Sequence, residues 1–264
     1  MADGEQFRQE IDQRGVARLT LARPEVHNAF NETLIAALTA SLEALGADPE
    51  VRAVVLAAEG KSFSAGADLT WMQRMAGYAR EQNLEDARGL ARLMATLDRL
   101  PKPTLALVQG AAYGGGVGLV ACCDIAVAAE PASFCLSEVK LGLIPAVISP
   151  YVIGKIGAGA ARRYFLTAER FDARRAQALG LVHEVVAAEA LEAAGESILA
   201  ALAAGGPDSQ AAAKDLIRAV AGRPTDAALV EETAVRIADV RAGEEAREGI
   251  AAFLEKRRPT WAGD

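Results

Sequence analysis

Along the first half of the chain, apolar positions switch repeatedly between short strand-like runs and helical recurrence at every third or fourth residue. Residues 7–13 and 15–21 read as a hairpin turning near Arg14 and Gly15. Over 31–45, Leu34, Leu38, Leu42 and Leu45 recur at helical spacing. Residues 51–57 form an apolar run suited to a buried strand, followed by a loop with glycine and serine. A longer helix is expected over 81–100, stopped by Pro101. A buried strand over 103–108, a glycine run, a short apolar helix and a strand over 124–128 complete this half. Strand, loop, helix and strand recur without a close sequence repeat, which predicts an α/β fold of repeated ββα units.

Beyond Pro150 the pattern is almost wholly helical as far as Lys256, with 181–186 as the strand-like exception. Breaks fall at Gly205-Gly206-Pro207, Gly222-Arg223-Pro224 and Gly243. A boundary is expected near residue 200, between a strand-containing core over 1–200 and a helical C-terminal region over 201–264. The apolar stripe over 227–255 suits packing against other copies or cover for its own core.

Composition narrows the function classes. The chain of 264 residues is 52% hydrophobic and only 5% aromatic, with abundant alanine, as closely packed helices require. A net charge of −7 without a basic block argues against nucleic-acid binding. The first residues carry neither a basic n-region nor an apolar h-region, and no apolar run is long enough to span a membrane. Cys122, Cys123 and Cys135 form no C-x-x-C pair and read as reduced core residues of a cytoplasmic protein.

Several familiar chemistries drop out. Gly60-Lys61-Ser62 resembles the end of a P-loop, but Val55 stands where the leading glycine belongs. The glycines between 154 and 159 do not fit a dinucleotide fingerprint, and no G-x-S-x-G elbow occurs. His27 and His183 lack partners at ligand spacing, so neither a metal site nor a Ser-His-Asp triad is expected.

Two loops stand out: Ser62-Phe63-Ser64-Ala65-Gly66-Ala67-Asp68-Leu69, and Gly110-Ala111-Ala112-Tyr113-Gly114-Gly115-Gly116-Val117-Gly118. Each follows a strand, and the second opens a helix. Glycine lets main-chain N–H groups approach a ligand closely, and a helix start adds unpaired amides. Two such donors converging would form an oxyanion hole, each supplying roughly 3–4 kcal/mol. The same glycines would also serve simple tight turns.

Those loops combine with Arg23-Pro24-Glu25-Val26-His27-Asn28-Ala29-Phe30, Ser137-Glu138-Val139-Lys140-Leu141-Gly142-Leu143-Ile144-Pro145 and Phe253-Leu254-Glu255-Lys256-Arg257. In that order, over nearly the whole chain, they resemble the enoyl-CoA hydratase/isomerase (crotonase-like) family. The resemblance implies a crotonase-type spiral of ββα units with a helical C-terminal region that assembles trimers or hexamers. It implies that the amides of Ala67 and Gly115 bind the thioester oxygen of an acyl-CoA, with no cofactor beyond the coenzyme A of the substrate. Glu25, Val26, His27, Ala65 and Leu69 would line the CoA path, and Phe253 and Lys256 would touch the nucleotide of a neighbouring subunit.

Hydratases of this family commonly use two glutamates. Glu138 matches one, and Gly118 stands at the position of the other. The finer motifs, including Gly114–Asp124 and Pro145–Tyr151 in numbering 114–124 and 145–151, are similar to those of methylglutaconyl-CoA and isohexenylglutaconyl-CoA hydratases. This implies hydration of a branched enoyl-CoA, 3-methylglutaconyl-CoA foremost, in leucine or isoprenoid breakdown. Arg74, Tyr78, Tyr151 and Lys155 are candidates to meet the distal carboxylate of such a substrate. A Δ3,Δ2-enoyl-CoA isomerase using Glu138 alone and a non-catalytic CoA-binding protein remain alternatives. Asp68 is expected to fix its loop, and Asp124 to have a structural role.

Overall fold

The computed structural model describes residues 6–262. The opening hairpin is present: β1 (Phe7–Ile11) and β2 (Val16–Leu21) pair antiparallel, with Phe7 opposite Leu21. Alternate residues Ala17, Leu19 and Leu21 of β2 are buried, following the two-residue period of a strand. Asn31 then caps α1 (Glu32–Ala47) by accepting from the Leu34 amide, and Leu34, Leu38, Leu42 and Leu45 all enter the core. β3 (Ala53–Ala58) returns parallel to β2 and is apolar on both faces.

From here the chain repeats one pattern: a strand of a long sheet, a short strand of a second sheet, then helix. β3 is followed by β4 (Ser62–Ser64), α2 (Leu69–Met75) and α3 (Arg80–Asp98). β5 (Thr104–Val108) is followed by β6 (Ala111–Tyr113) and α4 (Gly115–Cys122). β7 (Ile125–Ala129) is followed by β8 (Ser133–Cys135), a 3-10 turn at Glu138–Leu141 and α5 (Ser149–Thr167). The helical backbone of α5 is interrupted at Gly157, where φ is 73°.

The last strands come in reverse order, β9 (Phe171–Asp172), α6 (Ala173–Ala178) and β10 (Glu184–Val186). The long sheet runs β1-β2-β3-β5-β7-β10 and the short one β4-β6-β8-β9. The expected ββα succession is thereby realised. The strand expected over 181–186 is shorter, because Leu181 and Val182 turn their side chains fully into the core before pairing with β7 begins at Glu184.

α7 (Leu191–Ala203) packs Leu191 and Leu199 against Leu105, Leu107 and Val127 on one face of the long sheet. α8 (Pro207–Val220), α9 (Ala227–Ala242) and α10 (Glu244–Glu255) follow. Lys214 of α8 ties this region to the core through Asp124 at 2.6 Å and the Lys102 carbonyl at 2.8 Å. These three helices bury little: none of α8, Leu229 of α9 and Ala252 of α10. Ile217, Val235, Ile237, Ile250, Phe253 and Leu254 stay exposed, Phe253 by 81%. Among the described residues no helix is long and apolar enough to cross a membrane.

Candidate active site

The motif around residues 23–30 is a clamp for the loop that follows β3. Asn28 is fully buried, and its Nδ2 donates to the carbonyls of Glu59 and Ser62, both at 2.8 Å. Its Oδ1 accepts from the Arg23 amide at 2.8 Å. Arg23 reaches over the Ala29 carbonyl at 2.6 Å to the Asp68 carboxylate at 3.1 Å. His27 meets Ser62 Oγ at 3.1 Å, so this residue also braces the loop.

Asp68 caps α2 by accepting from the amides of Thr70 and Trp71. Burial alone would raise its pKa, but those amides and the Arg23 guanidinium outweigh it and hold the carboxyl below its usual range. Asp68 is therefore a fixed anion that locks the loop in place. Asp124 binds the Thr104 amide and hydroxyl as well as Lys214, which is equally structural.

The clamp aims one amide. Phe30 and Ala67 form a parallel bridge, made by Phe30 N–H to the Gly66 carbonyl at 2.7 Å and Asp68 N–H to the Phe30 carbonyl at 2.8 Å. Both bonds use the neighbours of Ala67, which turns its own N–H to the opposite side. Among the described residues that N–H has no acceptor. The Gly115 amide opens α4, where the helix supplies no carbonyl for it, and it too has no acceptor.

Gly114 brings the two loops together. Its backbone (φ 50°, ψ −118°) is one that side-chain-bearing residues rarely adopt. A β-carbon there would lie 3.2 Å from Oε1 of Glu138 and 3.9 Å from the Gly66 Cα. The glycines, both loops and Glu138 therefore share one small volume.

Glu138 opens the 3-10 turn after β8, and its main-chain carbonyl is held by the Leu143 amide at 3.0 Å. Oε2 of its side chain is buried without a partner. Burial pushes the pKa of this carboxyl up, against a smaller opposing effect of its own amide. A half-buried carboxylic acid with a vacant oxygen, beside two vacant amides, is suited to exchanging protons with a bound molecule.

Ala67, Gly115 and Glu138 line one cavity of about 490 Å³ with Ala65, Leu69 and an otherwise mainly apolar wall. That wall includes Phe30, Met72, Met75, Leu90, Pro145 and Ile148. Glu25, Val26 and His27 lie outside it on the adjoining turn, and Phe253 and Lys256 lie at the end of α10, also outside it. None of the four candidates for a distal carboxylate lines it. Arg74 pairs with Glu32, while Lys155 donates to the carbonyls of Cys123 and Asp124 at 3.1 and 3.3 Å. Tyr151 packs against the core, and Tyr78 lines a separate groove.

The structure also accounts for Gly118. A β-carbon at this buried position would fall 2.3 Å from Ile148 Cγ2 and 3.2 Å from Met94 Cε. Ile148 is stiff at χ1 and cannot swing aside freely. Gly118→Glu is expected to lower unfolding free energy by more than about 3 kcal/mol, since it both overpacks the site and buries a carboxylate. Denaturant unfolding checks this, and no gain in turnover is expected.

Sequence reasoning missed Trp71 and Asp86, which line the cavity from α2 and α3. Nothing in a solvated-looking helix such as 80–98 distinguishes one acidic residue from its neighbours.

The sequence and the fold are also similar to those of known proteins. The sequence matches the family described as enoyl-CoA hydratase/isomerase over residues 11–264. It is 34% identical to the 2,3-dehydroadipyl-CoA hydratase of Escherichia coli, over 95% of this chain and 96% of that protein. The structure superposes on an enoyl-CoA hydratase from Shewanella pealeana with a TM-score of 0.95, at 48% identity, covering 97% of this chain and 96% of the other. Pseudomonas aeruginosa AtuE gives a TM-score of 0.93 at 39% identity, covering 98% of this chain and 100% of the other.

Proposed function

The chain belongs to the enoyl-CoA hydratase/isomerase family, and from that premise we propose that it hydrates a branched α,β-unsaturated acyl-CoA, with 3-methylglutaconyl-CoA as its leading substrate. The thioester oxygen sits between the amides of Ala67 and Gly115, which accept no other duty in the fold. As water adds to Cβ, negative charge moves onto that oxygen, and Glu138 delivers a proton to Cα. Glu25, Val26 and His27, with Ala65 and Leu69, guide the CoA moiety toward the cavity. The observation that carries the reading is the vacant Oε2 of Glu138 in a cavity shared with two unpaired amides.

The choice of a branched, distally acidic substrate rests on the resemblance of the 114–124 and 145–151 segments. The cavity itself offers no lysine or arginine among the described residues. Assaying 3-methylglutaconyl-CoA beside a branched enoyl-CoA without the terminal carboxylate therefore tests the choice. Turnover of the uncharged compound alone would keep the hydratase and discard the acidic tail.

The displacement of a carboxylate from position 118 by Ile148 favours a second reading, a Δ3,Δ2-enoyl-CoA isomerase in which Glu138 moves a proton between Cα and Cγ. Conversion of 3-enoyl-CoAs without hydration of any 2-enoyl-CoA would select it.

The exposed apolar side chains of α8–α10 support assembly into a trimer or a hexamer through residues 201–264, which would bring Phe253 and Lys256 of one subunit to the nucleotide of another. Sedimentation of a single-chain species would refute the assembly.

A further inference from the structure

Hydration needs two proton movements: one proton goes to Cα, and one leaves the attacking water. Glu138 can supply the first. The cavity contains a second carboxylate, Asp86 of α3, which lines it together with Glu138, Ala67 and Gly115.

Asp86 is held in place. Its Oδ1 accepts a hydrogen bond from the indole Nε1 of Trp71 at 3.1 Å, and Trp71 is itself buried at the start of α2. Asp68 caps that same turn of helix, so the clamp that aims the Ala67 amide also positions Trp71. Oδ2 of Asp86 has no hydrogen bond among the described residues and is available to a water.

Asp86 also lines a groove of about 640 Å³ between α1 and α3, together with Glu32 and Glu85. It thus stands between the apolar cavity and the outside, where a proton can be returned to solvent. Its carboxyl titrates above the usual range because burial raises it. Glu32 of α1 adds to that, while the Trp71 hydrogen bond and Arg74 of α2 oppose it.

We infer that Asp86 is a second catalytic carboxylate of this site, the one that accepts the proton of the attacking water, with Trp71 as its positioning residue. The inference rests on the hydratase reading. In the step, a water O–H bond breaks to ionised Asp86 as the oxygen bonds to Cβ. The π pair shifts to the enolate held by Ala67 and Gly115, and then forms the Cα–H bond with the proton of Glu138. One water is added; Asp86 ends protonated and Glu138 ionised. Exchange with solvent resets both.

The test uses the full-length enzyme as Asp86→Asn and Trp71→Phe, with two readouts. The first is hydration of an enoyl-CoA. The second is solvent-deuterium exchange at Cα of a saturated acyl-CoA, which needs the oxyanion donors and Glu138 but no attacking water. Asp86→Asn should lower kcat for hydration by about 10²-fold or more, with KM changed by less than about threefold and α-exchange retained within about threefold. The acid limb of the pH profile should vanish with it. Trp71→Phe removes a donor that both orients the carboxylate and favours its ionised form, so it should lower kcat for hydration, by less than Asp86→Asn does, and move that limb to higher pH.

Hydration surviving in Asp86→Asn, or hydration and exchange falling together, would overturn the role. An unmoved acid limb in Trp71→Phe would also overturn it, including in the event that Asp86→Asn does not fold. A parent enzyme that exchanges α-protons yet hydrates nothing would remove the hydratase reading and this inference together, a result distinct from failure of the variants alone.

Discussion

Glu138→Gln is expected to lower kcat by about 10²–10⁴-fold while acyl-CoA binding stays close to that of the parent. The amide keeps the shape of the carboxyl but can neither give up nor take a proton at the working pH. Calorimetric binding of a saturated acyl-CoA, beside steady-state turnover, separates the two effects. Loss of both would mean that the side chain shapes the cavity without performing chemistry.

The same substitution has a stability signature whose sign follows from burial. The folded protein raises the pKa of Glu138, so folding favours its protonated form. Below the ordinary carboxyl range the parent suffers no penalty. As pH rises from the unfolded pKa through the folded one, ionisation becomes costlier in the folded state than in the unfolded chain, and stability is lost. The Gln variant does not titrate. It should therefore melt higher than the parent at neutral pH, with the gap shrinking in acid. A melting-temperature series across pH 4–8 checks the trend.

What the sequence disclosed and what it concealed divide along the range of the interactions involved. Leu34, Leu38, Leu42 and Leu45 lie on one helical stripe, and their burial follows from spacing alone. The glycine-bearing loops announced main-chain chemistry because only a missing side chain permits the Gly114 backbone. Strands β4, β6 and β8 have three residues each, too few to display alternation, and they form because a second sheet accepts them.

The site was hardest to read where distant segments meet. Gly118 was visible as a departure from a two-glutamate pattern, but its cause, Ile148, comes from the entry to α5. Asp86 resembled the acidic residues of any solvated helix until α2 placed an indole against it. None of the four distal-carboxylate candidates lines the cavity, and for two of them the reason corresponds. Charge and side-chain length were apparent, while the partners that occupy Arg74 and Lys155 were set only by the fold.

Ala67→Pro should lower kcat by about 10²–10³-fold, the cost of one oxyanion donor. Proline suits this test because the donor is main chain, and an ordinary side-chain substitution leaves it in place. The bridge between Phe30 and Ala67 is made by the Gly66 carbonyl and the Asp68 amide, so losing the Ala67 N–H breaks none of its hydrogen bonds. Circular dichroism and thermal melting should thus stay close to the parent while turnover and α-proton exchange fall together. That joint fall separates loss of the hole from loss of a water-activating group. If the variant folds and retains both rates, the thioester oxygen does not rest on this amide.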